Sequence, residues 1–299
     1  MNPGEIIPNL VEKGFLYEDT TIISEHNNLI VASENERVVT RIGRASAIQA
    51  AENPNDIRYA HNLSYILGAR AAVLSPLQEH PVLVDDLILS SYPMINTVDW
   101  SKISGPTLNS SIELFQESYP RVKRIPELAR LNVHEYALAR MNKVDALGDF
   151  DQHSFHLASV ALDALSDAYP FLQLADDDPS IVHGDLHSGN ILMDETGALN
   201  IIDLDSVASG PRLYDIASWS VRSKRGDDAP IDSLLDTARR RQDWDEDAYQ
   251  ALMGWKIISS MTHALRYESK ESATKTIATL AKIAKSTTRL GRVFEGRNG

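Results

Sequence analysis

Apolar and polar positions along the chain follow two different periods. Thr20–Ile23 and Leu29–Ala32 are short runs of β-type residues, and Ser24-Glu25-His26-Asn27-Asn28 between them reads as a turn. Ser33-Glu34-Asn35-Glu36 turns the chain again, into Arg37-Val38-Val39-Thr40-Arg41-Ile42, whose β-branched residues suit a pleated surface. Asn53-Pro54-Asn55-Asp56 is a helix-start signal with Asp56 as the cap, and Tyr59, Leu63, Ile66 and Leu67 follow at helical spacing. Two further β runs, His80–Val84 and Asp86–Ser90, complete a first segment predicted to be β-rich with one helix. Pro93 has no N–H to offer a sheet, so Ser90-Ser91-Tyr92-Pro93-Met94 is expected to be a connector.

From about residue 110 the pattern becomes mainly helical. Leu157, Ala158, Ala161, Leu162 and Leu165 mark one face of a helix that ends before Pro170, and Trp255, Ile258, Thr262 and Leu265 mark another. A basic segment from about Ser272 to Leu290 is predicted to be a surface helix. One β island interrupts this region. Ile191-Leu192-Met193 and Leu199-Asn200-Ile201-Ile202 are joined by Asp194-Glu195-Thr196-Gly197, a hairpin-type turn. The predicted fold is α+β in two lobes: residues 1–92 as a small β-rich lobe and 93–299 as a larger, mainly helical one. A length of 299 residues and a hydrophobic fraction of 43% are ample for that.

Composition narrows the chemistry. A formal net charge of −13 argues against a chain that binds nucleic acid through a general basic surface, and is compatible with a cationic partner. The absence of cysteine removes disulfides, thiolate metal sites and cysteine nucleophiles together. Met-Asn-Pro-Gly-Glu-Ile-Ile-Pro lacks the basic and apolar stretches of a secretory signal, and no run of about eighteen apolar residues occurs. A cytoplasmic protein with no membrane span is expected.

The hairpin draws polar groups together from two places in the chain. Asp185 and Asn190 precede its first strand; Asp203 and Asp205 follow its second. Asn190 and Asp203 supply hard oxygen donors of the kind magnesium takes while it also binds substrate phosphates. Asp185 lies in a loop, placed to accept a proton from an attacking hydroxyl or to orient it. Alignment and charge stabilisation supply most of the acceleration in phosphoryl transfer, so so small a set suffices.

His183-Gly184-Asp185-Leu186-His187-Ser188-Gly189-Asn190, then Ile201-Ile202-Asp203-Leu204-Asp205, then Leu213-Tyr214-Asp215-Ile216-Ala217, resemble the motifs of the aminoglycoside phosphotransferase and choline kinase family, relatives of protein kinases. The resemblance implies a two-lobed protein-kinase-like fold with ATP or GTP as phosphate donor and Mg2+ as cofactor. It makes Asp185 the catalytic base or hydroxyl-orienting residue, and Asn190 and Asp203 the magnesium ligands. His183 becomes a structural brace, and Asp215 an acceptor of hydrogen bonds from the catalytic-loop backbone. Arg41 takes the place of the strand cation for the α- and β-phosphates, Asn27 or Asn28 falls at the family's phosphate-covering turn, and Ser90, Tyr92 and Met94 fall in the hinge that meets the adenine. The chain departs from the protein-kinase pattern in two places. Ser24–Asn28 has no glycine, and Tyr59-Ala60-His61-Asn62-Leu63 lacks the glutamate that pairs with the strand cation, leaving Glu52, Asp56 or no partner for Arg41.

Blander readings stand beside these. A loop aspartate commonly caps a turn, a strand arginine commonly pairs at the surface, and His183 with His187 lacks a third zinc ligand. Asp205 either touches a second metal or solvates its loop. The acidic residues Asp227, Asp228, Asp232, Asp236 and Asp243–Asp247 either hold a cationic acceptor or form a solvated face with Arg239-Arg240-Arg241. Trp219, Trp244, Trp255, Tyr249 and Tyr267 either box a cation or belong to the core. A kinase acting on a hydroxyl of a small molecule, an aminoglycoside or amino sugar first, is the expected function; choline, ethanolamine or a simple sugar is the alternative acceptor. A nucleotide-binding regulator without turnover is the rival from another class. A protein kinase proper is disfavoured, because Asp215 follows Asp203 after only twelve residues and leaves no room for a long activation segment.

Overall fold

The computed structural model describes residues 2–25, 28–44, 57–95, 102–118, 128–145, 152–168, 180–223, 231–242 and 244–267. The chain divides into two compact units. One comprises Met1–Asp99, Ser110–Glu127 and Gly189–Val207; the other comprises Trp100–Asn109, Leu128–Ser188 and Ala208–Gly299.

The first unit is built on an antiparallel sheet of five strands, β1 (Thr21–Glu25), β2 (Leu29–Ser33), β3 (Val38–Arg44), β4 (Val82–Val84) and β5 (Leu87–Pro93), in the order β1-β2-β3-β5-β4. Side chains alternate between its faces. Leu29, Val31, Ile42, Leu87 and Leu89 cluster on one face with Leu10 of α1 (Pro3–Glu12). Arg41 and Ser90, opposite each other in the β3–β5 register, belong to the other face. There α2 (Ile57–Leu67) packs against β5, burying Ile57, Ala60, His61, Leu63, Ser64 and Leu67.

The hairpin β7 (Ile191–Met193) and β8 (Leu199–Ile201) joins this unit although it comes late in the chain. Ile201 is the link: its N–H donates to the Ala72 carbonyl at 2.6 Å, and its carbonyl accepts from Leu74 N–H at 3.0 Å.

The second unit is mainly helical, with α4 (Val133–Asp145), α5 (Gln152–Ala168), α6 (Leu213–Ser223), α7 (Ile231–Ala238) and α8 (Glu246–Tyr267). Helix α8 packs against α4, α5 and α6 around a core that includes Met141, Leu162, Tyr214, Leu252, Trp255 and Ile258. The short strands β6 (Ser180–Val182) and β9 (Ala208–Gly210) pair and carry the chain into the loop His183–His187 and into α6. The boundary between units falls within α3 (Gly105–Gln116).

The β-rich first part and the helical second part are those the hydrophobic pattern predicts, and three local expectations change. Pro3–Glu12 is a helix, started by Asn2, whose side chain accepts from Gly4 N–H, and held by the apolar run that ends in the buried Leu10. Ser90–Pro93 is strand, not connector. Pro93 closes β5 beyond the last residue paired with β4, where a missing N–H costs no ladder bond on that side. The buried stripe of α2 is rotated from the expected one, leaving Ile66 at 44% exposure because Ala60 and Ser64 pack where larger groups were expected. The helix start at Asn53–Asp56 and the basic segment at Ser272–Leu290 lie outside the described residues.

Gly105 opens α3 against α7: its N–H donates to Ser233 Oγ at 3.1 Å, and a Cβ there would overlap the Ser233 backbone. Backbone cannot yield as a flexible side chain does. Gly105→Ala is therefore expected to cost about 1–3 kcal/mol of stability, read as a lower urea midpoint at unchanged slope. An unchanged midpoint would show that the contact yields freely.

Candidate active site

The hairpin turn sets the first group of residues. Asp194 Oδ1 accepts from Thr196 Oγ1 at 2.6 Å, Thr196 N–H at 2.9 Å and Ala198 N–H at 3.0 Å. These bonds, the Thr196 hydroxyl first among them, hold the Asp194 carboxyl below the usual aspartate range. They fix the register Ile191↔Ile201, and one step beyond it Ile202 N–H donates to the Asn190 carbonyl at 3.0 Å. Asn190 and Asp203 thus emerge at the same end of the hairpin. Asn190 is buried, whereas the Asp203 side chain is about half exposed. Asp203 sits in the left-handed region at φ 62° and ψ 58°, which aspartate tolerates better than most residues but which costs free energy all the same.

Arg41 on β3 reaches the segment that follows. Its Nη1 donates to Asp203 Oδ1 at 3.2 Å and to Asp205 Oδ1 at 2.7 Å, and its Nη2 donates to Asp205 Oδ2. This is a two-pronged guanidinium–carboxylate pair with a second carboxylate alongside. Asn28, with its amide oxygen turned to the guanidinium, accepts from Arg41 Nε at 3.1 Å. Burial works against the charge of Arg41, but the hydrogen-bonded Asp205 outweighs it and raises the arginine's pKa.

The counter-ion absent from α2 is therefore supplied by Asp205, while Glu52 and Asp56 lie outside the described residues. In α2 the corresponding stretch offers His61, whose Nδ1 lies 2.7 Å from Ser90 Oγ and whose burial lowers its pKa. Tyr92 is on the same strand as Ser90, and burial raises its phenol pKa. Met94 follows the strand; its N–H donates to the Arg37 carbonyl at 2.7 Å, and its carbonyl accepts from Arg37 Nη2 at 3.3 Å. Asn27 lies outside the described residues.

The second unit carries Asp185. Asp215, in the first turn of α6, accepts from His183 N–H at 2.9 Å and Gly184 N–H at 3.1 Å with its two oxygens. His183 is fully buried, and its Nδ1 accepts from Asp185 N–H at 3.3 Å, which places the proton of a neutral ring on Nε2. Gly184, at φ 81°, makes the reversal that brings these N–H groups round. Lys256 of α8 completes the group: its Nζ donates to Asp185 Oδ1 at 2.9 Å and to the Gly184 carbonyl at 3.2 Å, 5.8 Å from the centre of the Tyr214 ring.

Two residues that sequence reasoning missed or left open stand out. Asp205 is the principal partner of Arg41, a pairing between positions 164 apart that no local pattern announces. Lys256 left a sequence signal: it is a lone cation inside Ala251-Leu252-Met253-Gly254-Trp255-Lys256-Ile257-Ile258, and a lysine in an apolar helix calls for a buried acceptor. The acidic stretch resolves partly into surface pairs, since Glu246 accepts from Arg239, Trp244 and Gln250. Trp219, Trp255 and Tyr249 are buried in the helical unit.

Comparison with known proteins bears on the fold. Residues 117–253 match the family model described as the phosphotransferase enzyme family. Three solved structures share the fold across nearly the whole chain. A thermostable mutant of aminoglycoside phosphotransferase APH(4)-Ia, in a ternary complex with ADP and hygromycin B, is 14% identical with a TM-score of 0.64, covering 94% of this chain and 99% of its own. Choline kinase LicA from Streptococcus pneumoniae is 13% identical with a TM-score of 0.62, covering 93% and 100%. Spectinomycin phosphotransferase APH(9)-Ia, in complex with ADP and spectinomycin, is 14% identical with a TM-score of 0.55, covering 92% and 91%. The fold is protein-kinase-like. Residues 117–253, a little under half of the chain, are thus similar to a phosphotransferase family, and the chain shares the fold of the aminoglycoside phosphotransferases and the choline kinase.

Asp215 satisfies two backbone donors in a buried setting. Asp215→Ala leaves both without it, at about 1–3 kcal/mol each. Thermal or urea denaturation should show a loss of about 2–6 kcal/mol on that basis; a loss below the lower figure would mean that other groups take over those N–H bonds.

Proposed function

We propose that the chain moves the γ-phosphate of ATP or GTP to a hydroxyl of a small molecule, an aminoglycoside or amino sugar in the first place and choline, ethanolamine or a simple sugar next. The observation that carries this is the hairpin end, where Asn190 and Asp203 emerge together behind a turn fixed by Asp194. An amide oxygen and a half-exposed carboxylate are hard donors suited to magnesium that keeps water and phosphate oxygens as its other ligands. Asn190 and Asp203 would hold the ion, which when bound supplies charge neutralisation on the nucleotide phosphates.

The remaining work falls to other side chains. Arg41, aimed by Asp205 and flanked by Asn28, offers its guanidinium to the α- and β-phosphates, as the strand cation does in the family the motifs resemble. Ser90, Tyr92 and Met94 mark the strand end against which the adenine would lie, where the Met94 carbonyl keeps a second lone pair beside its bond to Arg37. Asn27 and Asn28 take the phosphate-covering turn by the resemblance of the motifs alone. Asp185 accepts a hydrogen bond from the acceptor hydroxyl. The oxygen–phosphorus bond forms as the bond from the γ-phosphorus to the bridging oxygen breaks, ADP or GDP leaves with that electron pair, and the hydroxyl proton passes through Asp185 to water. His183 and Asp215 keep the loop in shape for this.

The ADP-bound complexes with hygromycin B and with spectinomycin support a nucleotide donor and an aminated, polyhydroxylated acceptor as the first choices for this chain. A regulator that binds nucleotide without turnover is the alternative, favoured by the absence of a glutamate from α2.

Purified protein with magnesium and ATP or GTP, offered aminoglycosides, amino sugars, choline, ethanolamine and simple sugars, should release nucleoside diphosphate in response to at least one of them. Asp185→Asn should lower that rate by roughly 100-fold or more while nucleotide binding is retained. Nucleotide binding with no response to any acceptor would favour the regulator, and an unimpaired Asp185→Asn would remove Asp185 from the chemistry.

A further inference from the structure

Lys256 has no part in the roles assigned so far, yet it is the least expected charge in the helical unit. It lies on α8 between Trp255 and Ile257, both buried, and its own side chain is only 8% exposed. A lysine is seldom found at such depth unless it is paired. Its ammonium makes two contacts to a single loop, one to the Gly184 carbonyl and one to Asp185 Oδ1. The Asp185 side chain keeps 35% exposure, so one carboxylate has a buried cation on one side and open space on another.

We propose that Lys256 is a positioning residue for phosphoryl transfer: its buried ammonium, bridging the Gly184 carbonyl and one oxygen of Asp185, holds that carboxylate ionised and in one rotamer for the acceptor hydroxyl. The proposal rests on the function proposed above.

Three consequences follow from the geometry. A carboxylate tied at Oδ1 loses rotamer freedom that it would otherwise give up on binding the acceptor, so the alignment is made in advance. A nearby ammonium lowers the proton affinity of a carboxylate, so Asp185 orients the hydroxyl from the start and takes its proton only as the new oxygen–phosphorus bond forms. The same ammonium, anchored to Gly184, links α8 to the loop that Asp215 braces from α6.

The groups around Lys256 can be named by element. Helix α6 brings Tyr214, with Asp215 behind it, and α4 brings Tyr136; α5 carries His156, Asp163 and Asp167, all exposed. Burial works against the charge of Lys256, but Tyr214 and Asp185 outweigh it and raise its pKa. Burial pushes the Tyr214 phenol up to about 12, so Tyr214 stays neutral across the working range. Among these groups Asp185 is the carboxylate in direct contact with the ammonium, at 2.9 Å.

The test compares Lys256→Met, which keeps the length and loses the charge, with Lys256→Arg in the full chain. With any acceptor that the parent protein turns over, Lys256→Met should lower kcat roughly 10–100-fold with KM for the nucleotide unchanged, the pattern of a lost transition-state contact. The acid limb of its kcat/KM profile should move up by about one pH unit, because the carboxylate has lost its cation. Lys256→Arg should recover most of both effects. A merely structural lysine would change stability without moving that limb.

A second measurement needs no acceptor. Titration of 13C-labelled aspartate carboxylates, with the Asp185 signal assigned from Asp185→Asn, should show the Asp185 pKa raised by about one unit in Lys256→Met. Lys256→Gln takes its place if the methionine variant does not fold. If the parent protein phosphorylates nothing, the proposed function fails while this titration still decides on Lys256. An Asp185 pKa that does not change between parent and variant would overturn the proposal.

Discussion

The register of the short hairpin Ile191–Ile201 is the constraint on which the placement of Asn190 and Asp203 depends. Each of its strands is only three residues long, so the strands alone could slip at little cost. The Asp194 carboxylate prevents that by collecting three donors from the turn, and Ile201 is pinned from outside through Ala72 and Leu74. A slip of one residue would turn every side chain to the opposite face and part Asn190 from Asp203. The chain accepts a left-handed aspartate at the end of the hairpin, a local cost that the paired register sustains.

Each compact unit also meets the same electrostatic problem in its own way. A cluster of carboxylates needs positive charge close by. In the first unit Arg41 lies between Asp203 and Asp205, with Asn28 on its flank. In the second, Lys256 lies under Asp185. The two cations differ as their partners require. Arginine presents a planar fork to a carboxylate and never loses its proton, whereas lysine presents a compact charge that can serve a carbonyl and a carboxylate at once.

How much of this is legible in the sequence depends on distance along the chain. The hairpin and the aspartates around it can be read because turn residues, β-branched runs and motif spacing are all local. So can the change from a β-rich to a helical part. The partner of Arg41 cannot, since Asp205 approaches it through sheet and hairpin pairing that no window of residues contains. Pro93 misleads because its missing N–H matters only on the side of β5 where a neighbour still pairs, and β4 has ended by then. Helix α1 follows from Asn2 and Leu10, but with Pro3 and Pro8 among its residues it shows weakly against strands. Lys256 was visible as a charge among apolar neighbours; only the fold shows that its acceptor is Asp185.

In the proposed reaction the terminal phosphate of a nucleotide passes to a hydroxyl of a small compound. Incubation with nucleotide labelled in its γ-phosphate, followed by separation of products, tests it most directly. Label should appear covalently attached to the acceptor through oxygen, in step with release of nucleoside diphosphate. Label recovered only as inorganic phosphate, or remaining in the nucleotide with every acceptor offered, would contradict it.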